Sequence, residues 1–323
     1  MAAGAELVRF ARSCGLIRGE WIAIDGSKFR AVANGDSVRD RDALRRYLDG
    51  MEQADTEQQA TIDSSAVQAA IEKLRKHPEP EVGFMRISGG ISPGYNVQTA
   101  VDAEHALIVT HAVTLDAADH RCLLPMAEAA SRALGKQATL NVVADTGYSN
   151  GEHASRCEEI GIVTHVPAKR SVNPHGLFDR STLIYQAESD TFLCLEGKTL
   201  TRKQLNRPMR SIRYEAAIKD CRACPSRSLC TKSAWRVVSR SLDDDALNRM
   251  NARATPAAMR LRRTTVEHPF GTIKYRIFGH PRLLLRGLAG AQTEIGIAIM
   301  AYNLKRIVNV LGAIRLTQAL APA

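Results

Sequence analysis

The chain has 323 residues, 45% hydrophobic and 24% charged, enough to bury one large core or two ordinary ones. That balance excludes disordered and collagen-like classes. The formal net charge of +10 favours a polyanionic partner over a neutral sugar.

The first residues are interrupted by Arg9, Arg12 and Arg18 and lack the unbroken apolar run of a secretory signal. Trp21 to Ile24 is apolar and β-branched and runs into Asp25-Gly26-Ser27, which predicts an acidic residue at the carboxyl end of a strand. Residues 38–80 are polar with helical spacing and close on His77-Pro78-Glu79-Pro80, the pattern of a helical insertion. Tyr95 to Val101 and Leu107 to Thr114 are strand-like and joined by a short polar turn, a hairpin signal. Cys122 to Leu134 predicts a helix, Leu140 to Ala144 a strand ending in Asp145, Glu152 to Ile160 a helix and Ile162 to Pro167 a strand.

Strands, hairpin and helices in this order predict an α/β fold, a mixed sheet with helices packed on it. Between about 169 and 240 the rhythm breaks into turns, short strand-like pieces and clustered cysteines, which predicts an inserted subdomain. Helical sequence resumes near Asp244 and continues past Glu267. The apolar run Gly287 to Gly312 contains Gln292, Glu294, Asn303, Lys305 and Arg306, which favours a core or amphipathic helix over a membrane span. The expected organisation is 1–168 for the first part of a catalytic core, 169–240 for the insertion and 241–323 for closing helices, in a cytoplasmic protein with no membrane partner.

Asp25 and Asp145 each follow an apolar strand, and strand ends of a mixed sheet meet where ligands of open α/β sheets bind. Glu267 lies on a later helix that can cover that edge. Three clustered carboxylates repel one another unless cations intervene. Magnesium prefers such oxygen ligands, and a pair of ions about 3.5–4 Å apart activates one oxygen and stabilises another in phosphodiester chemistry. Against this, a single Asp after a strand is usually a turn former or helix cap. Arg263 and Glu267 are spaced to share a helix face, with Lys274 two turns beyond the Glu, an arrangement that suits a DNA phosphate or a plain salt-bridged surface.

Seven cysteines without an export signal are expected to be reduced thiols or metal ligands. Cys221-x2-Cys224-x5-Cys230 offers three thiolates, and Cys194 upstream is a candidate fourth ligand of a structural zinc site. Unlinked reduced thiols in an irregular insertion are the alternative. Arg222, Arg227, Lys232, Arg236 and Arg240 lie around this cluster and are candidates to track a DNA backbone.

The segment from Arg260 to Lys274 resembles the signature of DDE insertion-sequence transposases whose third acid lies in Tyr-x2-Arg-x3-Glu-x6-Lys. Arg263, Glu267 and Lys274 match the last three places, and Arg260 stands where the pattern has Tyr. The stretches IAIDGSKFRAV, GYNVQTAVDAEHALIV, VVADTGYSNGEH and GLAGAQTEIGIAIMAYNLKR are similar to the same group in the same order. The resemblance implies a ribonuclease-H-like core with Asp25, Asp145 and Glu267 as catalytic acids holding two Mg²⁺ ions, Mn²⁺ being able to substitute. It also implies contacts of Arg263 and Lys274 with transposon-end DNA, cleavage there, strand transfer into target DNA, and a homodimer when active. Family members usually carry a helical domain ahead of the first Asp, where this chain has 24 residues, so a truncated or split copy is expected. A metal-dependent nuclease that never joins strands and an inactive DNA-binding remnant are the rival expectations.

Overall fold

The computed structural model describes residues 2–57, 64–87, 89–135, 139–169 and 176–320. Helix α1 (Ala2–Ser13) leads into strand β1 (Trp21–Arg30), followed by helices α2 (Gly35–Glu57) and α3 (Ser64–Arg75). Next come β2 (Gly83–Ile87), β3 (Gly90–Asp102), β4 (Ile108–Thr114), α4 (Leu123–Ala133), β5 (Leu140–Val143), α5 (Gly151–Glu159) and β6 (Ile162–His165). Short strands β7 (Ile184–Gln186), β8 (Thr191–Leu193), β9 (Thr199–Asn206) and β10 (Ser211–Ala216) are followed by α6 (Ile218–Arg222), α7 (Arg227–Cys230) and β11 (Val237–Ser241). The chain closes with α8 (Asp244–Arg253), α9 (Pro256–Thr272) and α10 (Gly287–Leu320).

The first six strands form one mixed sheet in the order β2-β3-β1-β5-β6, with β4 also on β3. β1 is antiparallel to β3, while β1, β5 and β6 run parallel. The fold is therefore the mixed α/β type that the alternation of strand and helix signals predicts.

β1 corrects the expectation that Asp25 ends a strand. Asp-Gly-Ser is turn chemistry in isolation, but β3 keeps pairing past it, with Asp25 opposite Thr99 and Gly26 opposite Gln98, and carries β1 on to Arg30. The strand that stops is β5, at Val143, so the opening beside Asp25 comes from its neighbour.

Side chains alternate across a strand. Ile22, Ile24, Leu140 and Val142 pack on one face with Leu123, Ala127 and Ala130 of α4 and Val8 and Ala11 of α1. Ala23 and Val143 take the other face and meet Ala258 and Val266 of α9. Asp25, two residues beyond Ala23, thus shares the face that α9 covers.

Helix α10 is long and apolar enough to cross a membrane by length and composition alone. It is docked on the sheet: Ala291, Ile295, Ala298, Ile299 and Tyr302 enter a core with Val97, Val101 and Ile108. Buried Asn303 accepts from the Ile108 amide at 2.9 Å and donates to its carbonyl at 2.8 Å. Gly312, at φ +74°, breaks the helix near its end.

The last five strands form a separate sheet in the order β11-β10-β9-β8-β7, antiparallel throughout. Its core holds seven buried residues, centred on Phe192, Leu200, Ile212 and Tyr214. Ion pairs Arg180–Asp244 at 2.5 Å and Arg210–Asp243 at 2.8 Å tie it to the start of α8.

Candidate active site

Trp21, Ile22 and Ala23 of β1 pair with Asn141, Val142 and Val143 of β5, a register that, carried two residues on, sets Asp25 opposite Asp145. Asp145 follows β5 and caps a short turn, its Oδ1 accepting from the Gly147 amide at 2.7 Å. Both carboxylates meet one guanidinium: Arg262 Nη2 lies 2.6 Å from Asp25 Oδ1 and 3.4 Å from Asp145 Oδ2. Arg262 reaches them because it occupies the stripe of α9 that also holds Ala258, Val266, Phe270 and, just past the helix, Ile273.

Burial pushes the Asp25 carboxyl above the usual carboxylate range; the Arg262 charge opposes this and neighbouring Asp145 adds to it. The cation thus holds together two groups whose mutual repulsion and desolvation work against joint ionisation.

Beneath the pair lies a polar layer. Asp119 Oδ1 accepts from Asn96 Nδ2 and Gln98 Nε2, both at 2.7 Å, and Lys28 Nζ lies 3.3 Å from Asp119 Oδ2. Tyr148, buried two residues after Gly147's predecessor turn residue, donates its hydroxyl to Gln98 Oε1. A Cβ on Gly26 would stand 2.2 Å from Gln98 Nε2 and 2.7 Å from Asp119 Oδ1, so a side chain there would push Gln98 and Asp119 out of this layer.

Glu267 is on α9 as expected, five residues past Arg262, but its side chain is exposed. Among the described residues, no three His, Cys, Asp or Glu side chains are gathered as a ready-made metal ligand set. The structure therefore brings Asp25 and Asp145 together and leaves Glu267 outside their contacts. Arg263 is exposed as well. Lys274 departs from the expected common face with Glu267, because α9 passes into a π-helical turn over Ile273–Ile277. That turn places its ammonium 5.4 Å from the centre of the Phe29 ring, where burial lowers its pKa and Asp25 opposes the shift.

Sequence reasoning missed Arg262 and Asp119. The signal for Arg262 was present: an arginine in register with the apolar positions 258, 266 and 270 has to meet a buried acid. Asp119 carried no such signal, since its partners Asn96 and Gln98 are brought to it by β3.

The four cysteines of the second sheet also converge. Cys194, Cys221, Cys224 and Cys230 all line one cavity of about 30 Å³. Burial raises the Cys230 thiol pKa, Arg236 opposes this, and the other three cysteines add to it. Three of the five cations expected to track DNA around this cluster make internal contacts, Arg227 only a long one of 3.5 Å to the Ser233 carbonyl. Arg236 donates to the carbonyls of Cys230 and Phe178 at 2.7 and 2.8 Å, and buried Arg240 pairs with Asp245 at 2.7 Å and stacks 4.1 Å from the Tyr185 ring centre.

A mixed sheet that sets one aspartate on β1 and another just past the parallel β5, beneath a basic helix, defines an α/β protein with a paired-carboxylate site. The chain belongs to the transposase DDE domain family, whose profile matches residues 62–304. The match includes Asp145, Arg263, Glu267, Lys274 and the four clustered cysteines, and Asp25 precedes it. No curated protein matches the chain significantly.

Proposed function

We propose that the protein is a DNA transposase that cleaves at insertion-sequence ends and transfers the freed strand to target DNA, with Asp25, Asp145 and Glu267 as its acidic set on a ribonuclease-H-like core. The convergence of Asp25 and Asp145 on the single guanidinium of Arg262 carries this proposal. The donor set suits a hard, oxygen-seeking cation. A cation already stands between the carboxylates, and the Arg262 Nε is buried without a hydrogen-bond partner, so the guanidinium is held there at a cost.

When bound, a pair of Mg²⁺ ions, with Mn²⁺ able to replace them, supplies the activation of the attacking oxygen and the stabilisation of the leaving one. Asp25 on β1 and Asp145 in the turn after β5 would hold the ions, and Glu267, exposed on α9, would have to turn toward them to complete the set. Arg262 would then be free to bind a phosphate, the role expected also of Arg263 and Lys274. The net charge of +10 gathers DNA in a salt-dependent way. Residues 38–80 and 169–240 are insertions in this core, and the protein acts as a homodimer in the cytoplasm.

The test is an assay on DNA carrying the element's ends, with Mg²⁺ or with EDTA, for the wild type and Asp145→Ala. Joined products that need Mg²⁺ and fall on the order of 10²–10³-fold or more in the variant, as when a charge-stabilising group is removed, are expected. Cut but never joined DNA would make the protein a nuclease. Binding without cleavage would make it an inactive DNA-binding remnant.

A further inference from the structure

The second sheet presents four thiols from two separate segments to one point. Cys194 opens the tight turn between β8 and β9, in which the Gly197 amide donates to the Cys194 carbonyl at 2.9 Å and Gly197 sits at φ +69°, a conformation that favours glycine. Cys221 and Cys224 form a second turn, closed by the Cys224 amide on the Cys221 carbonyl at 3.3 Å, and Cys230 ends α7. All four reach the same small cavity of about 30 Å³, enough for a water-sized or smaller occupant.

Two of the sulfur atoms also accept backbone amide hydrogen bonds. The Lys198 amide donates to Cys194 Sγ at 3.3 Å, and the Arg236 amide donates to Cys221 Sγ at 3.4 Å. Amide donors of this kind hold and orient thiolate ligands. Arg236 also lines this cavity, beside the four cysteines. The walls are otherwise largely apolar, with Phe178, Leu183, Leu195 and Leu200.

We infer that Cys194, Cys221, Cys224 and Cys230 form a structural zinc site that fastens the β8–β9 turn to the α6–α7 segment. Four thiolates select zinc over the hard cations that suit the aspartate pair, and a closed four-ligand set leaves no open position for chemistry. The four thiols line the cavity, though among the described residues they are not gathered as a ready-made ligand set. Zinc binding then supplies folding free energy to a sheet whose core has seven buried residues. This site is independent of the acidic pair and of DNA chemistry.

The test uses the full chain purified without chelator. Elemental analysis is expected to find about one zinc per chain and below about 0.1 in Cys221→Ser and Cys230→Ser, with Cys14→Ser keeping the full content, as a four-ligand site requires. Because the serine variants can fail to fold, the wild type is also titrated with a mercurial, and one zinc should leave as four thiols react. Cobalt substitution should give the intense visible bands of a tetrahedral thiolate site. A folded wild type with less than about 0.1 zinc, with iron in its place, or with a disulfide among the four sulfurs would overturn the assignment.

Discussion

The two sheets of this protein are built on very different amounts of buried surface. β3 is buried at every residue from Pro93 to Asp102, because helices cover both faces of its sheet. β9, at the middle of the other sheet, buries Leu200 alone among its eight residues. A sheet covered on both sides is held by area; a sheet with one thin core is held by a few specific ties. The second sheet's described ties are the arginine pairs to α8, the carboxylate of Asp190 that accepts from Tyr185 at 2.8 Å and also from Tyr214, and the cysteine cluster.

The sharpest way to break this comparison is Phe192→Ala, which removes a fully buried ring from the thin core and should cost about 3–5 kcal/mol. Amide exchange is expected to lose protection across β7 to β11 while β1, β3 and β5 keep theirs. Equal loss in both sheets would show that they unfold as one cooperative unit.

A smaller loss is expected from Asn303→Ala in the covered sheet. It leaves the Ile108 amide and carbonyl, both bound by Asn303, buried without partners, at about 2–3 kcal/mol. Calorimetry should show the main transition falling, and an unchanged transition would mean that β4 does not depend on α10 for its free edge.

The smallest effect is a difference in acid response. His111, His153, His165 and His268 all belong to the covered region, and burial lowers the pKa of each. A histidine that binds its proton more weakly when folded contributes stability above its unfolded pKa. That stability is lost as pH falls from the ordinary value of about 6.5 through the lowered folded value. Residues 176–241 contain no histidine, and the lowered Asp190 there gives up its contribution only below the ordinary carboxylate value of 3.8. Exchange measured at pH 7.5 and 5.5 should therefore weaken the first sheet before the second. The reverse order would contradict the lowered pKa of these histidines.

Local chemistry made much of the covered sheet legible. The β-branched runs around Ile24, Val109 and Val142 and the apolar helix near Ile295 carry strong periodic signals, and the mixed α/β fold follows from their order. The end of β1 was not legible, because its continuation past Asp25 depends on hydrogen bonds from a strand about seventy residues later. Asp145 could be read from its position after a strand, whereas Asp25 was singled out for the same reason although β1 continues past it. The sideways turn of Lys274 could not be read, since a π-helical turn has no dependable sequence mark. Helix spacing placed Arg263, Glu267 and Lys274 on one face, and the helix takes its buried direction from Arg262 and Val266 instead.

The 237 residues between Asp25 and Arg262 have a consequence for how the protein is made. A ribosome adding roughly 5–20 residues per second needs on the order of ten to fifty seconds to cover that distance. For that interval the strand bearing Asp25 exists without the helix that neutralises it, and β5 can bring Asp145 alongside well before α9 emerges. Translation itself therefore times the closing of the acid pair, and a chain stopped short of α9 carries two facing carboxylates without their arginine.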